Sequence, residues 1–248
     1  MRLCYFCLLL YRDNDMIRIL HTADWHLGQT FFGYDRTKEH EAFLDWLLRE
    51  IRKNEIDALI IAGDVFDVSN PSAASQRMYY EFIYRVTAEN PGLQIVIVAG
   101  NHDSAARLEA PLPLLQAMRT EVRGVVRKLN EGEIDYDHLA VELKNREGEV
   151  EVLCMAVPFL RQGDYPVVET EGNPYMEGVR ELYTQLLQRL WARRKTNQAI
   201  LAIGHLQATG SEIAEKDYSE RTVIGGLECV SPDTFSEKIA YTALGHIH

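Results

Sequence analysis

A surplus of basic residues is the first thing missing from this sequence. Twenty-six Lys and Arg against 37 Asp and Glu leave a formal net charge of −11. That balance excludes a protein that coats nucleic acid by bulk electrostatics, because such binding needs a cationic surface. A nucleic-acid substrate stays open, since two bound divalent cations would reverse the local sign where a phosphate sits, and the carboxylates holding them add to the acidic count. Cysteine is also scarce. Cys4, Cys7, Cys154 and Cys229 form no dense framework, which points to free thiols in a reducing, cytoplasmic setting. Cys4-x-x-Cys7 has neither a second such pair nor a nearby His to complete a zinc or redox motif. No later segment approaches the ~20 apolar residues of a membrane span. The opening residues 1–15 contain an apolar stretch like a short signal core, but no A-x-A-like cleavage site follows it. The simplest expectation is an N-terminal extension lying outside a fold that begins at Met16. Internal repeats, low-complexity tracts and interdomain linkers are absent, so residues 16–248 are expected to form one domain.

Short apolar runs without alternation are abundant, at 17–20, 58–62, 94–99, 199–203 and 239–244. They are rich in Ile, Val, Leu and Ala, as strands buried on both faces of a sheet are. Helical periodicity fills the intervals at 36–53, 73–89 and 177–195, the first placing Phe43, Leu44, Leu47, Leu48 and Ile51 on one stripe. Strands alternating with helices predict α/β architecture. Residues 122–126, 139–143 and 150–157 alternate more and are separated by polar turns, so antiparallel strands of a second sheet are expected there. Residues 206–235 read as a long loop of the kind that is often functional.

Each of the five apolar runs ends in residues able to hold a divalent cation: Asp24-Trp25-His26, Gly63-Asp64, Gly100-Asn101-His102-Asp103, Gly204-His205 and Gly245-His246-Ile247-His248. Ligands of open α/β sheets collect beyond the carboxyl ends of the strands. Asp24 and His26 stand two apart, as do His246 and His248, a spacing that in extended backbone sends both side chains to one side. Gly63 lets the chain turn sharply and bring in Asp64, whose two oxygens can bridge two cations. Asn101 offers an amide oxygen, and His205, His246 and His248 offer imidazole nitrogens. Two Asp, one Asn and four His, without a thiolate, suit Mn²⁺, Fe²⁺ or Zn²⁺. Two such ions could clamp a phosphoryl group and activate a water. His102 is then free to protonate a leaving oxygen, with Asp103 as its orienting partner. Taken singly, each His is ordinarily a hydrogen-bonded loop or core residue, and Asp24 or Asp64 could be a helix cap. The five sets in order at five strand ends make that account a poor one. His40 and His138 have no such context and are expected in solvent, whereas His21, nearer the site, is expected to support it. Arg123, Arg127 and Lys128 form a modest basic cluster that is either a DNA surface or a solvated face.

This ordered set, Asp24-x-His26, Gly63-Asp64-x-x-Asp67, Gly100-Asn101-His102-Asp103, Gly204-His205 and Gly245-His246-x-His248, resembles the calcineurin-like metallophosphoesterase superfamily. Within it, residues 21–29, 39–48, 62–67 and 243–248 are similar to the SbcD family of bacterial nuclease subunits. The resemblance implies a four-layer α/β/β/α sandwich of two mixed sheets flanked by helices. It also implies a dimanganese site and metal-dependent cleavage of DNA ends and hairpins in DNA repair and recombination. Carried over by position, Asp24, His26, Asp64 and His248 would hold one metal, and Asp64, Asn101, His205 and His246 the other. His102 would act on the scissile phosphate. The partners implied are DNA, an SbcC-type coiled-coil ATPase, and a second copy of the chain docked through helices, with residues 73–89 and the segment after His102 as candidates. Asp67 stands where related enzymes carry a His. Relatives continue past the last motif into capping and partner-binding regions, so the chain is expected to be truncated at its C-terminus.

Overall fold

The structure is a computed structural model describing residues 16–208 and 229–246. The proposed N-terminal extension, much of the expected 206–235 loop, and His248 lie outside the described residues.

In chain order the elements are β1 (Ile19–Thr22), β2 (Thr30–Phe31), β3 (Tyr34–Asp35), α1 (Thr37–Lys53), β4 (Ala58–Ala62), α2 (Ala73–Glu89), β5 (Gln94–Val98), α3 (Ala105–Glu109), α4 (Leu112–Gln116), β6 (Thr120–Arg123), β7 (Ala140–Lys144), β8 (Val150–Ala156), α5 (Pro174–Arg193), β9 (Ala199–His205) and β10 (Tyr241–Gly245). Two four-stranded sheets result, in the orders β1-β4-β5-β6 and β10-β9-β8-β7. The first is parallel throughout. The second is mixed, with β7 antiparallel to β8 and the rest parallel.

The non-alternating strands are explained by burial on both faces. In β4, Ala58, Ile60 and Ala62 turn toward the other sheet, where they meet Cys154, Leu201, Ile203 and Ala243 in one apolar layer. Leu59 and Ile61 turn the opposite way, onto Phe43, Leu47 and Ile51 of α1 and Phe82 and Ile83 of α2. On the far side, Leu153, Met155, Ile200 and Ala202 pack against Leu182, Leu186 and Leu190 of α5. Helix, sheet, sheet, helix is therefore the layering, held by three apolar clusters whose removal from water is the main favourable term in folding. Ser72 caps α2 by accepting from Ser75 N–H (3.1 Å), and Asn173 caps α5 with Pro174 just inside it. Among the described residues no helix is long and apolar enough to cross a membrane.

Several expectations need correction. The five ligand-bearing strands do not share one sheet: β1, β4 and β5 belong to the first, β9 and β10 to the second. Residues 122–126, expected in the second sheet, contribute β6 at the edge of the first, where Val122 pairs with Ile97. His40 is not in solvent but lies on the buried stripe of α1 with Phe43, Leu44 and Leu47. His138 is half-buried rather than in solvent, its Nε2 3.6 Å from Glu109. Arg123 offers no surface, being buried with its guanidinium on Glu121 (2.8 Å) and the His138 carbonyl.

Candidate metal centre

The carboxyl ends of both sheets converge at one end of the sandwich, and the strand-end residues meet there. Four of the seven non-glycine residues with positive φ among those described are Asp24 (56°), His26 (45°), Asp64 (49°) and His246 (101°). Left-handed backbone costs a side-chain-bearing residue on the order of 1–3 kcal/mol, and such residues cluster where function over-determines them. The extended backbone expected for Asp24-x-His26 is thus not what the chain adopts. Asp24 N–H donates to Gly63 O and His26 N–H to Asp64 O, both at 3.0 Å, which ties the first loop to the second.

Two glycines are required by close approach. A Cβ on Gly63 (φ 90°) would be driven into the His205 imidazole, and one on Gly100 into the Asp64 carboxylate. Asp103, expected to orient His102, instead accepts from Val65 N–H (3.2 Å), Phe66 N–H (2.9 Å) and Gly100 N–H (2.9 Å). It locks two ligand loops together. Burial and the neighbouring Asp64 charge raise its pKa against those three donors.

Asp64 is the centre of the arrangement. One group of potential ligands consists of His26, Asp64 and His102, a second of Asp64, His205 and His246, and Asp64 is common to both. In the second group, His205 Nε2 is 3.3 Å from Asp64 Oδ2, 3.0 Å from Asn101 Oδ1 and 3.3 Å from His246 Nδ1. Asn101 Oδ1 is in turn 2.9 Å from His246 Nδ1. His205 Nδ1 lies 2.8 Å from the Ala62 carbonyl, which can only accept, so that nitrogen carries a hydrogen and, in the neutral ring that can bind a metal, Nε2 turns its lone pair inward. Lone pairs from a carboxylate, an amide oxygen and two imidazoles then converge. Ligands bonded at roughly 2.1 Å around one cation stand about 3 Å apart, and the donor set fits a divalent ion.

In the first group, His26 Nε2 and His102 Nε2 lie 3.7 and 4.0 Å from Asp64 Oδ2. Asp67 supports His26, its Oδ1 3.5 Å from Nδ1, the carboxylate–imidazole pairing that fixes a ligand's tautomer. His102 Nδ1 donates to Asp67 O (2.8 Å), and its backbone N–H donates to Asp64 Oδ1 (2.9 Å). Asp24 is in neither group, but its carboxylate accepts from His246 N–H, with both oxygens at 3.1 Å. His21 points to the Tyr241 hydroxyl, 3.0 Å away. Burial lowers its pKa to about 4, so it is neutral. The last expected ligand, His248, is outside the described residues.

One neighbour carried no ligand-type signal in the sequence. Phe159, just past β8, lies 6.3 Å between ring centroids from both His205 and His246, with the Arg161 guanidinium 5.5 Å from its ring centroid. Only its place, directly after the buried run that ends at Pro158, could have singled it out.

The charges are mutually supporting. Burial works against the Asp64 anion, yet the imidazoles of His205, His26 and His102 hold its carboxyl far below the usual range. Burial likewise opposes a charge on His205, but Asp64, Asp24 and the Ala62 carbonyl outweigh it and raise the pKa to about 9. Below that value the metal-free imidazole keeps its proton, which a metal must displace. Titration with Mn²⁺ at about pH 7 should therefore release protons, the release fading and apparent affinity climbing as pH rises through about 9. Calorimetry in buffers of differing ionisation enthalpy measures this, and a pH-independent affinity without proton release would contradict it.

Comparison with known proteins identifies the family. The calcineurin-like phosphoesterase family matches residues 17–248. The SbcD component of the SbcCD nuclease of Rhodobacter capsulatus is 39% identical over 239 residues, covering 94% of this chain and 58% of that protein. The protein of the same name from Escherichia coli K12 is 33% identical over 239 residues, covering 94% and 56%. That from Bacillus subtilis is 29% identical over 234 residues, covering 94% and 57%. The chain thus spans a little over half the length of the curated relatives it matches. With the family matching nearly the whole chain, and two ligand groups meeting at Asp64, the chain belongs to the calcineurin-like phosphoesterase family.

Proposed function

We propose that this chain is the catalytic portion of an SbcCD-type nuclease that hydrolyses DNA phosphodiesters with two divalent ions, Mn²⁺ foremost. It acts as an exonuclease on double-stranded ends and an endonuclease on hairpin or single-stranded DNA. Its proposed partners are an SbcC-type ATPase and a second copy of itself. The observation that carries the reading is Asp64 common to two ligand groups, on a chain whose relatives bear the name of a nuclease component.

Asp64, Asn101, His205 and His246 would hold one ion and Asp24, His26 and Asp64 the other, and such ions would supply Lewis-acid stabilisation and an activated water. The protein's own groups do the rest. Asp64 fixes the separation of the two positions. Asp67 and the Ala62 carbonyl hold His26 and His205 in the tautomer that presents Nε2. His102, with Nδ1–H donated to Asp67 O, keeps Nε2 on the Asp64 side, where its protonated form can donate to the leaving oxygen.

The test is incubation of the chain with Mn²⁺ and end-labelled linear and hairpin DNA. Metal-dependent cleavage of both is expected. Hydrolysis of a simple diester such as bis(p-nitrophenyl) phosphate with DNA left intact would replace this reading with that of a small-diester hydrolase.

A further inference from the structure

The strands β2 and β3 form a small hairpin that leaves the fold beside the metal-binding loops. Gln29 N–H donates to His26 O (3.0 Å) at its start. Thr30 pairs with Asp35 and Phe31 with Tyr34, so Phe32 and Gly33 make a two-residue turn. Both have positive φ, 48° and 81°, the combination of a type I′ turn. Asn, Asp or Gly are the residues that such a turn favours. Phe32 adopts this conformation while 89% exposed as a residue, so no burial offsets the local cost. Phe31 is 45% and Tyr34 75% exposed, and the Phe31 and Phe32 rings stand edge to face at 4.6 Å.

The root of the hairpin is firmly held. Arg36, itself buried, donates to Glu39 Oε2 (2.7 Å) and to Gln29 Oε1, bridging the two ends of the excursion. Asp35 Oδ1 accepts from the Thr37 N–H (2.7 Å) at the start of α1. An aromatic tip in an unfavourable backbone conformation is thus presented on a fixed base, with Phe32 six residues beyond His26, at most about 20 Å of chain.

We infer that Phe31 and Phe32, with Tyr34 beside them, form a stacking platform for an unpaired base of the strand whose phosphodiester lies at Asp64. This rests on the nuclease reading above. Whatever carries a diester to Asp64 passes close to the hairpin's root, and a polynucleotide brings bases whose faces stack on aromatic rings irrespective of sequence. A two-residue tip is far smaller than a stable protein interface requires, which favours a base over a protein partner. The platform would hold a frayed or looped-out nucleotide while the neighbouring phosphate is cut.

The test compares the wild-type chain with Phe31→Ala/Phe32→Ala and with Phe32→Trp, on single-stranded and hairpin DNA and on bis(p-nitrophenyl) phosphate, which has no bases. For DNA the double variant should show KM raised about tenfold or more. Its hydrolysis of the small diester should be unchanged, and Phe32→Trp should behave as wild type. A 2-aminopurine placed next to the cleaved bond should be quenched on binding to wild type but not to the double variant. If wild type cuts DNA and the double variant matches it in KM and quenching, the platform is refuted. An equal loss on both substrates refutes it too, by assigning the residues a structural role. A wild-type chain that hydrolyses the small diester but neither binds nor cuts DNA overturns the nuclease reading, and the platform with it.

Discussion

Asp64→Asn is expected to lower phosphodiester hydrolysis by at least about 10³-fold, since metal-held charge stabilisation is worth several kcal/mol and each 1.36 kcal/mol is a factor of ten. The substitution keeps the side chain's shape and an oxygen to accept the His102 N–H, now at 2.9 Å, so the loop can fold. What it removes is the negative charge common to both ligand groups. The same charge balances the raised pKa values of His205 and His26, so in the variant both imidazoles become easier to deprotonate while the anion that draws in the cations is gone. Steady-state assays with Mn²⁺, alongside a thermal melt to show that the variant folds, measure the effect. A folded Asp64→Asn chain with the wild-type rate would rule out the assigned centre.

His102→Ala is the second large effect, but of a different kind. A general acid contributes about 10²–10⁴-fold, so kcat on DNA should fall by that factor while metal content stays at the wild-type level. The loss should be much smaller on bis(p-nitrophenyl) phosphate, whose phenolate leaves without needing a proton. His102 Nε2 lies 4.0 Å from Asp64 Oδ2, near enough to raise the alternative that it is a ligand. In that case the variant would lose metal, and both substrates would suffer equally. Metal analysis by mass spectrometry beside the two rate measurements separates the roles.

The ends of the strands were legible in the sequence because a buried parallel strand writes itself as a short apolar run, against which a polar residue at its end stands out even where, as here, it stays buried. Asp64 and His205 are of this kind. Their grouping around Asp64 was legible only through the order of the motifs, since each contact spans tens to hundreds of residues. Sheet membership was not legible: β6 at the edge of one sheet and β7 at the edge of the other carry similar short patterns, and pairing partners are long-range. His40 could have been placed correctly, because it stands three, four and seven residues before Phe43, Leu44 and Leu47 on one helical stripe. The approach of His138 to Glu109 joins residues almost thirty apart, and nothing local signals it. Asp103 misled for a related reason. Adjacency to His102 suggested a pair, whereas a buried carboxylate is stabilised best by several backbone N–H groups, and those come from the neighbouring Asp64 loop and Gly100.

The most direct measurement is electron paramagnetic resonance of the wild-type chain titrated with Mn²⁺, read together with metal stoichiometry. One carboxylate joining two positions requires two ions per chain whose spins are coupled, with the coupled signal lost in Asp64→Asn. A single ion per chain, or two ions that give only the spectrum of isolated Mn²⁺, would contradict a centre built on Asp64.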